Sequence, residues 1–143
     1  MQEGVTYGKL EMEGAERFQR LREPMGIASF GINLIRLQPG QRGRIHHHAT
    51  QEEVYIVLAG VLSLAVGGKE RDLTQGELAR VAPEVRRQLV NRGPAPCVVL
   101  ALGGAGQHVG RDGTAFVSWE AKEGAPPQET PLPEDLPAAE RRT

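Results

Sequence analysis

Residues 40–60, GQRGRIHHHATQEEVYIVLAG, decide the reading of this 143-residue chain. Gly40 follows Pro39 and marks a turn, a short polar run follows, and 53–58 read as a strand that stops at Ala59-Gly60. In a strand, side chains two apart share a face and lie about 6.5 Å apart along the chain. His46 and His48 therefore point together, and His47 points away. Two imidazoles on one face, with a carboxylate a short turn later, offer nitrogen and oxygen ligands suited to iron, manganese, zinc, nickel or copper. Glu53 opens the next strand, so its carboxylate can swing into the same concavity. The bland reading of three adjacent histidines is a surface patch or a cloning remnant. Their interior position, between a turn and a strand, argues for a shaped pair.

Outward from this stretch the chain reads as all-β. Eighteen Gly and ten Pro punctuate short apolar runs. Residues 29–38 put Phe30, Ile32 and Leu34 on one face, then Ile35 and Leu37 on the other; a bulge or a strand covered on both sides explains the change of phase. Residues 61–66 follow the reversal at Ala59-Gly60, and Gly67-Gly68 leads into 70–73. Runs at 77–82, 88–91 and 97–102 complete a regular series of short strands, as in a sandwich or barrel. Residues 14–21 are the one place before the tail with room for a turn or two of helix. The strand at 53–58 is apolar on both faces, with Tyr55 and Val57 opposite Val54, Ile56 and Leu58. A covering layer or a partner subunit is expected over the outer face, hence a homodimer, with N-terminal packing as the equally plain alternative. From Gly124 the chain turns Pro-rich and cannot enter a sheet interior; it reads as a flexible tail or an arm over a neighbour.

The spacing Gly40-x5-His46-x-His48-x4-Glu53-x6-Gly60 resembles the first motif of the cupin family at all five positions within 21 residues. That resemblance implies an all-β, single-domain jelly-roll barrel of roughly six to eight strands, covering residues 29–103. Residues 1–28 then form N-terminal strands or an extension, and 104–143 a partly flexible, Pro-rich C-terminal extension. It also implies a divalent metal held in the barrel mouth by His46, His48 and Glu53, where the choice of Glu53 over Glu52 rests on the distance to Gly60.

The second cupin motif, P-x-G-x-x-H-x-x-x-N after a glycine and a short strand, is only partly kept. Aligned on Asn91, with Gly76 ahead of the strand, the proline position holds Ala82, the glycine position Glu84 and the histidine position Arg87. A guanidinium stays protonated and has no lone pair for a metal. Two readings of Arg87 stand open. It sits beside a three-residue metal site and holds a substrate carboxylate by a paired contact, or it pairs with Glu53 and the site binds no metal. Anchoring the motif on Pro83 instead puts Gln88 in the histidine position and exchanges the faces. On the first register Arg87, Leu89 and Asn91 face inward. Arg87, Tyr55 and Asn91 are accordingly the candidate substrate-binding residues, and His108 reads as a loop residue or a cap on the pocket.

Composition narrows the function classes. A net charge of −1, with the basic residues dispersed, gives no support to nucleic-acid binding. Cys97 is the only cysteine, which excludes an intramolecular disulfide and a multi-cysteine zinc site; within its apolar run it reads as a buried, inert thiol. No apolar run reaches the ~20 residues of a membrane span, and the N-terminus lacks the order of a signal peptide, so a cytoplasmic location is the expectation. Arg, at 14 against 3 Lys, and Asn at positions 33 and 91 alone suit a GC-rich or heat-adapted source. The family's activities include dioxygenase, decarboxylase and isomerase chemistry, and also plain binding. The leading expectation is a metal-dependent protein acting on a small anionic molecule; the alternative is a metal-free binding or structural cupin. A sensor domain is the weaker third, since no helix-turn-helix pattern accompanies the barrel.

Overall fold

The computed structural model describes residues 3–104 and 112–143. Among these residues ten strands follow one another as β1 (Phe18–Arg20), β2 (Gly31–Leu37), β3 (Ile45–His48), β4 (Glu52–Ala59), β5 (Leu62–Val66), β6 (Lys69–Leu73), β7 (Leu78–Val81), β8 (Arg87–Val90), β9 (Cys97–Gly104) and β10 (Gly113–Phe116). A short helix, α1 (Arg22–Met25), stands between β1 and β2. All pairings are antiparallel, and they form two five-stranded sheets ordered β1-β2-β9-β4-β7 and β10-β3-β8-β5-β6. The inner faces close on a core that includes Leu37, Tyr55, Val57, Leu62, Leu89 and Val99. This is the jelly-roll sandwich that the strand spacing points to.

The change of phase along β2 has its cause in burial, not in a bulge. β2 pairs with β9 in unbroken register from Gly31 to Leu37. Its inner side carries Ile35 and Leu37, while Leu34 and Arg36 on the outer side are also buried. The N-terminal segment supplies the cover: the Arg36 guanidinium donates to the carbonyls of Glu11 and Glu16. The bulge of the sheet falls elsewhere, in β4 between Val57 and Ala59.

Two expectations are corrected and one is sharpened. Residues 14–21 hold the strand β1, whose backbone pairs with the edge of β2 through Phe18–Ile35 and Arg20–Asn33; the helical turn comes later, at α1. The reversal at Ala59-Gly60 carries the chain from one sheet to the other, since β4 belongs to the first and β5 to the second. Gly60 suits that crossing twice over: its φ is +75°, and a Cβ would come within 2.3 Å of the Pro96 carbonyl oxygen. Lastly, the Pro-rich tail lies along its own barrel. Leu136 is buried and its N–H donates to the Gly40 carbonyl, Arg42 Nε donates to the Glu134 carbonyl at 2.8 Å, and Arg142 pairs with Asp72. Gly40, at φ +86°, has the Arg141 side chain packed where a Cβ would stand.

At the end of β10, Phe116 is buried with its ring in a T-shaped contact with His47, whereas Val117, the next residue, is exposed. His108 lies outside the described residues. Among the described residues no helix is long and apolar enough to cross a membrane.

Candidate metal centre

β3 and β4 bring the three candidate ligands together across the inside of the barrel. One ligating atom each from His46, His48 and Glu53 lies within 4.8 Å of the others. His46 Nε2 stands 3.4 Å and His48 Nε2 3.2 Å from Glu53 Oε1. His46 is fixed from behind by its Nδ1, 3.1 Å from the Arg44 carbonyl, which leaves Nε2 for the cavity. The His48 ring is differently placed. Both of its nitrogens are buried without a hydrogen-bond partner, since Glu53 is near but misaligned and Asp112 Oδ2 is 3.8 Å from Nδ1. A buried polar atom left unpaired is costly, and calls for a ligand that the protein itself does not supply.

Glu53 is held by a compact set of donors. Arg87 NH2 donates to Oε1 at 2.7 Å, and the Tyr55 hydroxyl donates to the same oxygen at 2.5 Å. Arg87 Nε in turn donates to the Tyr55 oxygen at 3.1 Å, and its NH1 reaches the carbonyls of Pro83 and Val85. Burial pushes the Glu53 carboxyl up, but hydrogen bonds and charge from His46 and His48 outweigh it, and the group stays well below the usual carboxylate range. Burial, reinforced by the Glu53 charge, holds the Tyr55 phenol well above its ordinary value, so it remains a donor.

The cavity above these groups measures about 240 Å³ and opens between the two sheets. Phe18, Ile35, Leu37, Leu89 and Ala101 give it apolar walls. Three arginines from elsewhere in the sequence also line it: Arg17 and Arg20 beside or on β1, and Arg44 just before β3. Burial lowers the pKa of Arg17, with the Arg44 charge lowering it further and Asp135 opposing; for Arg44, burial and then the Arg20 charge lower it.

Residues 33–103 match the family model described as Cupin domain. A sugar phosphate isomerase of the cupin superfamily from Silicibacter pomeroyi is 30% identical, with 81% of this chain and 79% of that one covered at a TM-score of 0.61. The chain belongs to the cupin superfamily. A cupin protein from Bacteroides fragilis superposes at a TM-score of 0.65 over 73% of this chain and 86% of its own, at 18% identity, a likeness of fold alone. A Cupin 2 conserved barrel domain protein from Salinispora arenicola covers 67% of this chain and 81% of its own at 25% identity and a TM-score of 0.56. No curated protein matches the sequence.

Within this cupin the donor set suits a divalent transition ion: two imidazole nitrogens and a carboxylate converge, and His48 is aimed inward with no partner. Arg87 does not occupy the cavity. It is fully buried behind Glu53, absent from the lining, and engaged with Glu53, Tyr55 and backbone carbonyls. The expectation of a guanidinium facing substrate is corrected accordingly; the pairing of Arg87 with Glu53 is present, and the three candidate ligands remain together beside it. The register anchored on Asn91 holds, because Arg87 is opposite His46 and Leu89 lines the cavity, while Gln88 turns outward to the Gly43 carbonyl. Asn91 is also corrected as a substrate contact. It is buried away from the cavity, its amide donates to the Leu37 and Ala95 carbonyls at 2.9 Å, and its oxygen accepts from the Gly93 N–H. It fastens a turn. Tyr55 does line the cavity.

Sequence reasoning missed two groups. Asp112 accepts from the backbone N–H groups of Thr50 and Gln51 and so ties down the loop between the histidines and Glu53. Arg44 was legible in principle, being two residues before His46 on the same strand face. Arg17 and Arg20 carried no such signal.

Proposed function

We propose that this cupin binds one divalent metal ion through His46, His48 and Glu53, takes a small anionic molecule above it, and acts on that molecule as an isomerase-type enzyme. The observation that carries the reading is the convergence of three ligating atoms beneath an apolar-walled cavity, with both His48 nitrogens buried and unpartnered. The 30% identity to a sugar phosphate isomerase supports the choice of reaction class.

When bound, the ion would supply Lewis-acid polarisation of a carbonyl or hydroxyl oxygen. The chain's own groups do the rest. Arg87 and Tyr55 hold the Glu53 carboxylate in one orientation. The Arg44 carbonyl fixes the His46 ring, so that its Nε2 is presented inward without rearrangement. Apolar walls from Phe18, Ile35, Leu37, Leu89 and Ala101 would limit the water beside these groups when a ligand fills the cavity.

A second reading keeps a specific observation in its favour, the 2.7 Å ion pair between Arg87 and Glu53. In it the pair neutralises the carboxylate, no metal binds, and the histidines hold a ligand directly. Element analysis of protein grown with iron, manganese and zinc available separates the two. About one equivalent of metal per chain, lost in His46→Ala, is the expected result. Metal far below that level, with small acids still raising the thermal midpoint after EDTA treatment, supports the second reading instead.

The same reading extends to a cytoplasmic homodimer. The outer face of the β1-containing sheet carries Val54 opposite Leu102 and Ile56 opposite both Leu100 and Leu78, and these side chains keep partial or full exposure. Apolar rows of that kind suit a second copy of the sheet.

A further inference from the structure

The cavity rim poses an electrostatic question that the metal centre does not answer. Arg17, Arg20 and Arg44 converge on one concavity from two separate segments of the chain. Each cation repels the others, and among the described residues none makes an ion pair. Carboxylates are paired elsewhere: Glu52 with Arg80, Glu70 with Arg92, Asp72 with Arg142 and Glu53 with Arg87. Asp135 acts on Arg17 only at longer range. Two of the three arginines are anchored through part of their guanidinium, Arg17 NH1 to the Arg42 carbonyl and Arg44 Nε to the Thr130 carbonyl, both at 2.8 Å. Among the described residues the Arg20 side chain makes no hydrogen bond. Like charges gathered in a pocket, two of them anchored and all three with donors left over, are a receptor for an anion with several oxygens.

We propose that Arg17, Arg20 and Arg44 form a phosphate-binding cradle at the cavity mouth, which takes the phosphate of a small phosphate monoester and directs the other, oxygen-bearing end of that molecule to His46, His48 and Glu53. The inference rests on the reading that this cavity accepts a small anionic molecule, and it names the class and the orientation. The layout of the site sets the direction: the three guanidinium groups gather at the rim, while His46, His48 and Glu53 converge at the floor. The apolar walls between the two ends fit the carbon body of such a molecule. A tetrahedral, doubly charged head can accept from three guanidinium forks at once. A planar carboxylate offers two oxygens and a single charge, and so satisfies fewer of them.

The test is calorimetric titration of inorganic phosphate into the full chain, before and after EDTA treatment, with succinate as comparator. Saturable phosphate binding is expected in both preparations, weakened about tenfold in Arg20→Gln and more in the Arg17→Gln/Arg44→Gln pair. Arg20 is exposed, so Arg20→Gln should keep the parental thermal midpoint and serve as the variant whose fold is not in question. Phosphate binding that persists in His46→Ala, while metal content falls, separates the cradle from the metal centre. The proposal is overturned by the absence of saturable phosphate binding at millimolar concentration, by an unchanged affinity in Arg20→Gln, or by succinate binding as tightly as phosphate. Binding that vanishes with EDTA overturns it too, since the anion would then sit on the ion and not on the arginines.

Discussion

Arg87 shows how one substitution of residue type re-plans a site. A buried guanidinium survives only if its charge and its donors are met, and here Glu53, Tyr55 and three carbonyls meet them. Removing it strands a buried carboxylate. Arg87→Met should therefore lower the unfolding free energy by about 3–5 kcal/mol in denaturant titration, while Arg87→His, which removes the fixed cation and adds an imidazole, should bind metal more tightly than the parent in calorimetry. A parent-like stability for Arg87→Met would mean that the pairing with Glu53 contributes little. At this scale the sequence was unevenly legible. Two-residue alternation placed His46 and His48 together, because strand geometry is local. Whether Arg87 faced the ligand or Glu53 was not readable, because that depends on Tyr55 and on the Pro83 and Val85 carbonyls brought up by the packing of two sheets. Asn91 misled for the same reason: a side chain on the inward face can still be consumed by a turn.

Between elements, the strands were read nearly as they lie, since Gly and Pro interrupt each apolar run. What escaped the reading was partnership. Residues 18–20 become a strand only because β2 has a free edge for them, and nothing within Phe18-Gln19-Arg20 announces that edge. The tail escaped likewise, its prolines excluding a sheet without saying what it rests on. Its anchor is Leu136, 2% exposed, together with backbone bonds to Gly40 and Arg92. The surface pairs Arg142–Asp72 and Arg92–Glu70 should add less, because solvent screens them. Leu136→Ala should cost about 2–3 kcal/mol of stability, read as a lower denaturation midpoint, and should speed limited proteolysis after residue 130. A variant that melts like the parent would show that the tail contributes nothing to holding the barrel.

For the molecule as a whole, the two faces of the β1-containing sheet have different fates. The N-terminal segment buries the β2 end of the outer face, as the sheet's apolar pattern required, but the β4 and β7 end keeps Ile56 and Leu78 partly or largely uncovered. If two copies meet there, sedimentation equilibrium should give twice the chain mass, and Leu78→Glu, at a position 60% exposed, should return it to one chain mass without loss of fold. A monomeric parent would leave the N-terminal cover as the whole answer to the two-sided strand.

The cavity joins parts of the chain that lie far apart in sequence. Its floor comes from β3 and β4, but Arg17, Phe18 and Arg20 on one side and Pro127 on the other belong to segments outside residues 33–103, the part that matches the family model. Floor and doorway are thus built from separate stock. Substitutions in the two ends of the chain can change which molecule is admitted while the chemistry beneath, and the sandwich that carries it, stay as they are.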